Sequence, residues 1–511
     1  MTSRSEYLLR IIMLVLLGIA VVFVAGMLLI RTNCKASDPS CVPEVTTTYF
    51  GGSPTDTFSV CGCNASLVIR NETNARVLSN TEFGTGDSTL EDPRRLSAFA
   101  VFFTEFIFND IFNPSYVEPV LKYSIPVPAG DPVFAFFSSS NITFRIPGSP
   151  FVSPSCPYPI NNGTSFIDLS NVYGVNPTQM LNMRTLSRGR MRMVHNDESL
   201  LLERNATTHK WTIADHRDTY NAGVLSLHTL AVRNHNYWAD VLLAFHHGWT
   251  DEQLFWKARQ LNIAEWQRIV YHEWLPVLLF ASGLTPDPLS PVPNTLTESR
   301  VTLEMAISLM PAMIDTMIPS TIGDRRILPY AYFTGRAGQD LVSAENIELF
   351  LGDSVRTFAR RYDRNIIPER RNGFAWWSNS TAEPQDWVAI HIQRARALRT
   401  LDWHSIYQCI NGVPFAADPR DAYQGLLEED IFPGTSFGPT TVHMLNDLFH
   451  RIREADQAYY TYNAAAIGPV YWDAVNQATM GKLLVRNGRG PYGVFNDNKR
   501  IQHPFAVPTK H

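Results

Sequence analysis

A long helical pattern in residues 250–280, TDEQLFWKARQLNIAEWQRIVYHEWLPVLLF, constrains the fold of this chain more than any other feature. It opens with Thr250 and Gln253, which have the spacing of a capping box, a pair of side chains that satisfies backbone N–H groups at a helix start. Apolar residues then recur along one helix face, at Leu254, Ala258, Leu261, Trp266, Ile269 and Val270. Pro276 is expected to end or kink the helix, because proline has no backbone N–H to donate.

Two further long helices are predicted at residues 222–245 and 441–460, whereas strand signals are few and short. The chain has 511 residues, of which 45% are hydrophobic and 18% charged, values typical of an ordered globular protein. These patterns predict a mainly α-helical fold. A net charge of −5 argues against nucleic acid as a partner.

The N-terminal residues 11–30, IIMLVLLGIAVVFVAGMLLI, are all apolar and about as long as a bilayer-spanning helix. A cleavable signal peptide is the alternative, but its apolar region is usually shorter. Charges on the two flanks nearly balance, so they give no clear orientation. Asn-x-Ser/Thr glycosylation sequons begin at Asn64, Asn71, Asn141, Asn162, Asn205 and Asn379, all after the apolar run. Their placement favours a type II membrane protein with an extracellular or lumenal body.

The cysteines are Cys34, Cys41, Cys61, Cys63, Cys156 and Cys409, an even number that suggests disulfides in an oxidising compartment. Cys34 with Cys41 is the simplest pairing. Cys61 and Cys63 are too close together to bridge each other comfortably, so each is expected to pair elsewhere. The spacings give no support for a zinc site.

Polar side chains interrupt the apolar run FFTEFIFNDIF at residues 102–112. Glu105 and Asn109 are four residues apart and would share one face of a helix. Asp110 follows directly. A helix this apolar is expected to be buried, so the polar residues need partners inside the fold.

Several ordered blocks between residues 91 and 470 resemble the animal haem peroxidases. They are DPRRLS, FFTEFIFND, TSFIDLSNVYG, LHTLAVRNHN, KARQLNIAEWQRIVYHEWLPVLL, DWVAIHIQRAR and FHRIREADQAYY. The resemblance implies a helical domain of that family, with a haem between a distal and a proximal helix and a calcium ion beside the distal helix.

The resemblance also places the distal haem residues, and most of them are changed. The proton-transferring histidine corresponds to Asn109, and an amide cannot take up and return a proton near neutral pH. The distal glutamine corresponds to Glu105. Phe108 and Tyr220 stand where the family has its two ester-forming carboxylates. The arginine that stabilises developing charge is retained as Arg217. The alternative to a role in an active site is a structural ion pair, for which Glu105 is the suggested partner.

On the proximal side, the iron-binding histidine corresponds to Ile314, whose side chain offers iron no lone pair. A small shift of register would not help, because no histidine occurs between His272 and His391. His391 stands where an asparagine would orient the proximal ligand, so it is either an ordinary core histidine or a substitute axial ligand. Gln393 and Arg394 are retained, and Arg394 matches a contact to a haem propionate.

The calcium loop of the family is kept almost residue for residue. The resemblance assigns the metal to side-chain oxygens of Asp110, Thr164, Asp168 and Ser170, with the Phe166 carbonyl and the Thr164 carbonyl as a further candidate. An all-oxygen shell suits Ca²⁺. Thr164 also completes the sequon of Asn162, so a glycan there would lie beside the metal.

These features predict a single peroxidase-like domain on an N-terminal single-pass transmembrane helix. The expected segments are a cytosolic tail (1–10), an anchor (11–30), a stalk and loop-rich entry (31–90), the domain (91–485) and an irregular tail (486–511). Haem is expected to be absent and Ca²⁺ present. The predicted function is that of a catalytically silent binding or scaffold protein with protein partners at the cell surface or in the lumen. The alternative is a haem-dependent oxidoreductase with altered ligation, using Arg217 and His391.

His228 and His235 are seven residues apart on one predicted helix face. A metal site is one interpretation of this spacing. Packing inside the domain is the interpretation that the resemblance favours, because the family has similar histidines there.

Overall fold

The structure is a computed structural model that describes most of the chain beyond residue 72. The described residues are 73–84, 89–114, 121–135, 141–146, 161–194, 201–205, 211–219, 221–279, 293, 297, 299–323, 325–326, 344–378, 381–398, 403, 406–407, 420–488 and 503–506. The predicted anchor at 11–30, the cytosolic tail and all the cysteines lie outside them. Within the described ranges, no helix has the length and apolar character needed to cross a membrane.

Helices dominate the described part of the chain, as the sequence predicted. In chain order they are α1 (Ala75–Glu82), α2 (Ala98–Ile111), α3 (Ser170–Tyr173), α4 (Pro177–Met183), α5 (Ala222–Phe245), α6 (Asp251–Ile269), α7 (Leu275–Leu279), α8 (Met310–Met317), α9 (Ala344–Arg356), α10 (Pro368–Arg371), α11 (Trp387–Ala397), α12 (Ala422–Glu428), α13 (Pro439–Ala455), α14 (Ala464–Ile467), α15 (Pro469–Asn476) and α16 (Met480–Asn487). A 3-10 turn covers His216–Thr219, and π-helical turns cover Val270–Trp274 and Met305–Leu309.

Strands form only short antiparallel pairs in the described residues. The strands are β1 (Leu121–Pro126), β2 (Asn141–Ile146), β3 (Thr321–Ile322), β4 (Arg325–Arg326), β5 (Gly373–Ser378) and β6 (Thr381–Gln385). Each pairs with the next in sequence, so the sheets are β1–β2, β3–β4 and β5–β6. In the first of them, Leu121 pairs with Ile146 and Pro126 with Asn141. The sheets are local hairpins around a helical core.

Helix α2 lies at the centre of that core. All of its residues are buried, which agrees with a helix that is apolar on nearly every side. It packs against α5, α8 and α9. The contact with α5 depends on Gly223, because a methyl group there would lie 2.2 Å from Cγ of Phe102. The apolar sequence of α2 therefore dictates its central position, and the glycine allows the close approach of α5.

The capping box at Thr250 and Gln253 is present at the start of α6 and confirms the sequence prediction. Of the two expected outcomes at Pro276, an end or a kink, the helix does not end there: the helical path continues from α6 through a π turn into α7 (Leu275–Leu279). In the π turn, the N–H of Leu275 donates to the carbonyl of Val270. The π turn ends at Trp274, so Pro276 lies in the first turn of α7, where a residue without an N–H is tolerated.

Part of the segment expected to be a stalk belongs to the folded body. Arg76, in α1, donates to Asp131 over 2.7 Å and to Asp386, at the start of α11, over 2.7 Å. All of these side chains are fully buried. At the other end, Phe505 is buried and its carbonyl accepts from the N–H of Ser97, just before α2. Both ends of the described chain are therefore anchored to the helical core.

Candidate functional site

Glu105 and Asn109 share a buried face of α2, as their spacing predicted. Glu105 accepts a hydrogen bond from Nδ2 of Asn221 at 2.6 Å, just before α5. Burial raises the pKa of Glu105 to about 7, against the opposing effects of Arg370 and the Asn221 hydrogen bond. The Asn109 amide instead donates to Oδ1 of Asp218 at 2.9 Å. Both side chains therefore have partners in the segment just before α5.

Asp218 is a fully buried carboxylate to which three side chains donate. Besides Asn109, these are Asn171 in α3, at 3.1 Å, and Nδ1 of His228 in α5, at 2.7 Å. Burial raises the pKa of Asp218, and the hydrogen bond from His228 opposes this rise. The carboxylate thus joins α2, α3 and α5 through one polar centre.

Arg217 caps the end of α2. Its Nη2 donates to the carbonyls of Asn109 at 2.8 Å and Phe112 at 2.6 Å, groups that are left without helical partners at a helix C-terminus. It forms an ion pair with Asp215 at 2.6 Å, whereas the sequence had suggested Glu105 as the partner. The guanidinium therefore holds the end of the helix and the turn that carries Asp218.

Ile314, at the position of the proximal ligand, is buried in α8. It lines a cavity of about 10 Å³ together with Leu96, Ala100, Val101, Thr104, Leu278, Met313 and Met317. A cavity of that volume holds about one water molecule. At this level α2 and α8 contact each other through apolar side chains.

The residue after Ile314 is the centre of a second buried polar group. Asp315 pairs with Arg370 of α10, accepts a hydrogen bond from the hydroxyl of Tyr423 at 2.8 Å, and lies 3.5 Å from Nε2 of His391. Burial lowers the pKa of His391 to about 3, against the opposing effect of Asp315, so the imidazole is neutral at ordinary pH. Nδ1 of His391 has no hydrogen-bond partner among the described residues.

Arg394 lies on α11, one turn after His391, and is half-buried. Its Nη2 donates to the carbonyl of Arg145 in β2 at 3.3 Å. The arginine that matches a propionate contact is therefore placed against the β1–β2 hairpin.

The side chains at the haem positions do not fit the iron and ester chemistry of a haem peroxidase. Asn109 is engaged by Asp218, and Ile314 packs against apolar neighbours. Phe108 is fully buried, with its ring near those of Phe112 and Phe449 at centroid distances of 5.9 and 6.4 Å. None of these side chains can ligate iron or form an ester.

The calcium loop, by contrast, brings its predicted residues together. Asp110 accepts from the backbone N–H groups of Asp168 at 3.1 Å and Ser170 at 2.6 Å. The Ser170 hydroxyl donates to the Asp110 carbonyl at 2.8 Å, and the Thr164 hydroxyl donates to Oδ1 of Asp168 at 2.8 Å. All these residues, and Phe166, are buried. The loop is therefore closed around two carboxylates and two hydroxyls.

This donor set fits a hard cation. Burial, and after it the neighbouring Asp168 carboxylate, raise the pKa of Asp110 well above its usual range, and a bound cation would favour its charged form. Asp110, Thr164, Phe166, Asp168 and Ser170 would supply only oxygen ligands, as Ca²⁺ prefers. In the described part of the chain, no cluster of three or more acidic, histidine or cysteine side chains is placed to hold a metal. The loop would combine two carboxylates with hydroxyl and carbonyl oxygens.

Sequence reasoning missed the two aspartates that organise the buried polar residues. Asp218 directly follows Arg217, and Asp315 directly follows Ile314, so each lies beside a residue that the resemblance assigns to the haem site. A carboxylate in an apolar run such as MPAMIDTMIP was the available signal for Asp315. His228 and His235 are used in packing: His228 binds Asp218, and His235 contacts Tyr173 and the Gly189 carbonyl.

The fold and the calcium loop together define a peroxidase-like helical protein. The model of the animal haem peroxidase family matches residues 63–401, so the chain belongs to that family.

Similar proteins come from several organisms. Peroxinectin A of Dictyostelium discoideum is 24% identical over 60% of this chain and 63% of its own length. The peroxidasin homolog of Homo sapiens is 23% identical over 67% of this chain and 26% of its own length. The alignments thus span less than two thirds of these relatives.

Solved structures show the same fold. Peroxidase A from Dictyostelium discoideum has a TM-score of 0.71 at 19% identity and covers 91% of this chain and 98% of its own. A fatty acid alpha-dioxygenase of Arabidopsis thaliana has a TM-score of 0.72 at 14% identity, with 90% and 82% covered. The helical architecture is therefore shared even where the sequences have diverged strongly.

Proposed function

We propose that this protein is a membrane-anchored, glycosylated member of the animal haem peroxidase family that is catalytically silent and acts as a calcium-stabilised binding or scaffold protein. Its body would face the extracellular space or the secretory lumen, and its partners would be other proteins there. The observation that carries the proposal is the hydrogen bond from Asn109 to Asp218. This bond gives a structural role to the side chain that stands where a peroxidase has its proton-transferring histidine.

The charge and bonding of the neighbouring groups support a structural role. Arg217 donates to carbonyls at the end of α2 and pairs with Asp215. A guanidinium that stabilised a reacting peroxide would need its donors aimed at the substrate. Ile314, on the opposite helix, cannot bind iron.

A second candidate function is a haem-dependent oxidoreductase in which His391 replaces the proximal ligand. The specific observation in its favour is that Nδ1 of His391 has no hydrogen-bond partner among the described residues. The low pKa of His391, about 3, also keeps the ring in the neutral form that metals bind. Against it, Nε2 faces Asp315 at 3.5 Å and the ring lies parallel to that of Tyr423.

The test is the visible absorption spectrum of the full chain, produced in a secretory host supplied with haem and purified in mild detergent. The silent homologue should show no Soret band and no peroxidase activity. A haem-containing member of the family, prepared in the same way, is the positive control. A Soret band at one haem per chain would overturn the proposal.

If haem is found, a His391→Ala variant separates the candidates further. Loss of the haem spectrum, with folding retained by circular dichroism, would support His391 as the axial ligand. An unchanged spectrum would rule out that ligand.

A further inference from the structure

The sequon Asn162-Gly163-Thr164 lies at the start of the calcium loop, and its residues differ sharply in exposure. Asn162 is exposed, whereas Gly163 and Thr164 are buried. The preceding residue, Asn161, holds the segment in place, because its Oδ1 accepts from the N–H groups of Asn113 at 2.7 Å and Gly163 at 3.0 Å. The acceptor asparagine thus points away from a segment that is otherwise fixed to the end of α2.

The hydroxyl that completes the sequon is inaccessible in the folded loop. Thr164 has no exposed surface, and its hydroxyl donates to Oδ1 of Asp168 at 2.8 Å. Gly163 packs closely as well, since a methyl group there would lie 3.1 Å from the backbone nitrogen of Asn113. N-glycosylation requires the hydroxyl residue two positions after the asparagine to be recognised. An enzyme could not reach this hydroxyl without opening the loop.

We propose that Asn162 is an N-glycosylation site that is modified only before the calcium loop closes. In the transfer, Nδ2 of Asn162 forms a bond to the anomeric carbon of a polyprenyl-diphosphate-linked oligosaccharide. The bond from that carbon to the diphosphate oxygen breaks, the lipid diphosphate leaves, and the amide loses one proton. Glycosylation therefore precedes calcium binding, and the closed loop then holds the glycan at its outer edge. This inference rests on the lumenal location in the proposed function.

Another sequon provides an internal comparison. Asn141 begins β2, and the hydroxyl residue of its sequon, Thr143, is half-exposed in the folded hairpin. Folding does not bury this hydroxyl as completely as that of Thr164. The order of events should therefore matter much more for Asn162 than for Asn141.

The experiment has two arms, both with the full chain. In the first, the protein is secreted or displayed by mammalian cells, and site occupancy is measured by glycopeptide mass spectrometry. Asn162 should be occupied in the parent and in Thr164→Ser, which keeps a hydroxyl, and empty in Asn162→Gln and Thr164→Ala.

In the second arm, protein made with N-glycosylation blocked is incubated with oligosaccharyltransferase and lipid-linked oligosaccharide. It is either folded with Ca²⁺ or unfolded in denaturant and diluted into the assay. Asn162 should accept the glycan only when unfolded.

The outcomes are separable. An empty Asn162 beside other occupied sequons overturns the site while leaving the proposed location intact. Efficient modification of Asn162 in the folded, calcium-bound chain overturns the order of events. If every sequon is empty, the lumenal location fails, and this inference fails with it.

Discussion

At the scale of single residues, the replacement of a proton-transferring histidine by Asn109 changes what the buried face of α2 can do. An amide cannot act as an acid or base near neutral pH, but it can satisfy a buried carboxylate. Asp218 is that carboxylate, and it also binds Asn171 and His228. The face that would be catalytic in a peroxidase is here part of the internal hydrogen bonding of the core.

Removing Asp218 should therefore be costly. Asp218→Ala leaves the donors of Asn109, Asn171 and His228 buried without their acceptor, and each unsatisfied group costs about 1–3 kcal/mol. We expect the free energy of unfolding to fall by about 3 kcal/mol or more in urea titrations. Asp473→Ala, at an exposed position on α15, is the matched control. Equal effects of the two variants would contradict the structural role of Asp218.

Glu105 should make stability depend on pH. Burial raises its pKa from 4.5 to about 7, so between these values the folded protein holds a proton that the unfolded chain has released. The free energy of unfolding therefore falls as the pH rises through this window, by about 1.4 kcal/mol per pH unit at most. Arg370, which opposes the shift, and Asp218 and Asp315, which add to it, act on the same carboxylate.

Glu105→Gln removes this titration while keeping an oxygen that can accept from Asn221. The variant should gain stability relative to the parent as the pH rises from about 4.5 to about 7. Urea titrations across this range measure the difference, in which the contributions of other titrating groups cancel. Glu203→Gln, at a half-exposed position, is the control. A constant difference between parent and Glu105→Gln would show that the buried carboxyl does not titrate in this window.

At the scale of elements, the calcium loop connects two parts of the chain that are far apart in sequence. Asp110 closes the end of α2 against the loop that leads into α3. Backbone N–H groups partly balance the two buried carboxylates, and a bound cation would balance the rest. The loop therefore determines how firmly the end of α2, with Asn109 and the carbonyls bound by Arg217, is held.

Calcium should stabilise the fold, and Asp168→Ala should remove this effect. A ligand present at 100 times its Kd adds about 2.7 kcal/mol to the free energy of unfolding. We expect Asp168→Ala to lower the Tm and to abolish its dependence on calcium chelators in thermal unfolding followed by circular dichroism. Asp447→Ala, a largely exposed aspartate on α13, is the control. A parent protein whose Tm ignores chelator would count against the site.

At the scale of the whole molecule, the buried ion pairs of Arg76 join α1 to the body of the protein. Asp131 precedes the second strand of the β1–β2 hairpin and Asp386 precedes α11, so one guanidinium connects three distant parts of the chain. Through these ion pairs, α1, the first described helix of the chain, is part of the domain.

Arg76→Ala should loosen this connection strongly, because it leaves two buried aspartates without their counter-charge. Breaking a buried ion pair in this way costs about 3–5 kcal/mol. We expect a lower urea midpoint and earlier proteolytic cleavage between α1 and α2 than in the parent. Arg361→Ala, at an exposed position, should change neither. Unaltered cleavage in Arg76→Ala would show that α1 is held by its apolar contacts alone.

The long helices and the altered chemistry could be predicted from the sequence, although the helix predicted at 441–460 is shorter in the structure and ends at Ala455. The bounds predicted for α5 agree with the structure, since its apolar pattern and its cap at Asn221 are local features. The loss of histidine at Asn109 and Ile314 is likewise a property of the residues themselves. The π turn before Pro276 was not predicted; it contains Trp274, whose ring contacts that of Phe449, a residue far away in the chain.

Only the tertiary structure decided the partners of the buried polar groups. Asn109 and Asp218 are 109 residues apart in the chain, and Asp315 and Tyr423 are 108 apart. Local sequence fixes a helix through hydrogen bonds between near neighbours, but the partner of a buried side chain depends on which helices pack together and at what rotation. The sequence therefore determined the fold family and the missing histidines, and the packing of α2, α5 and α8 determined what the remaining polar side chains bind.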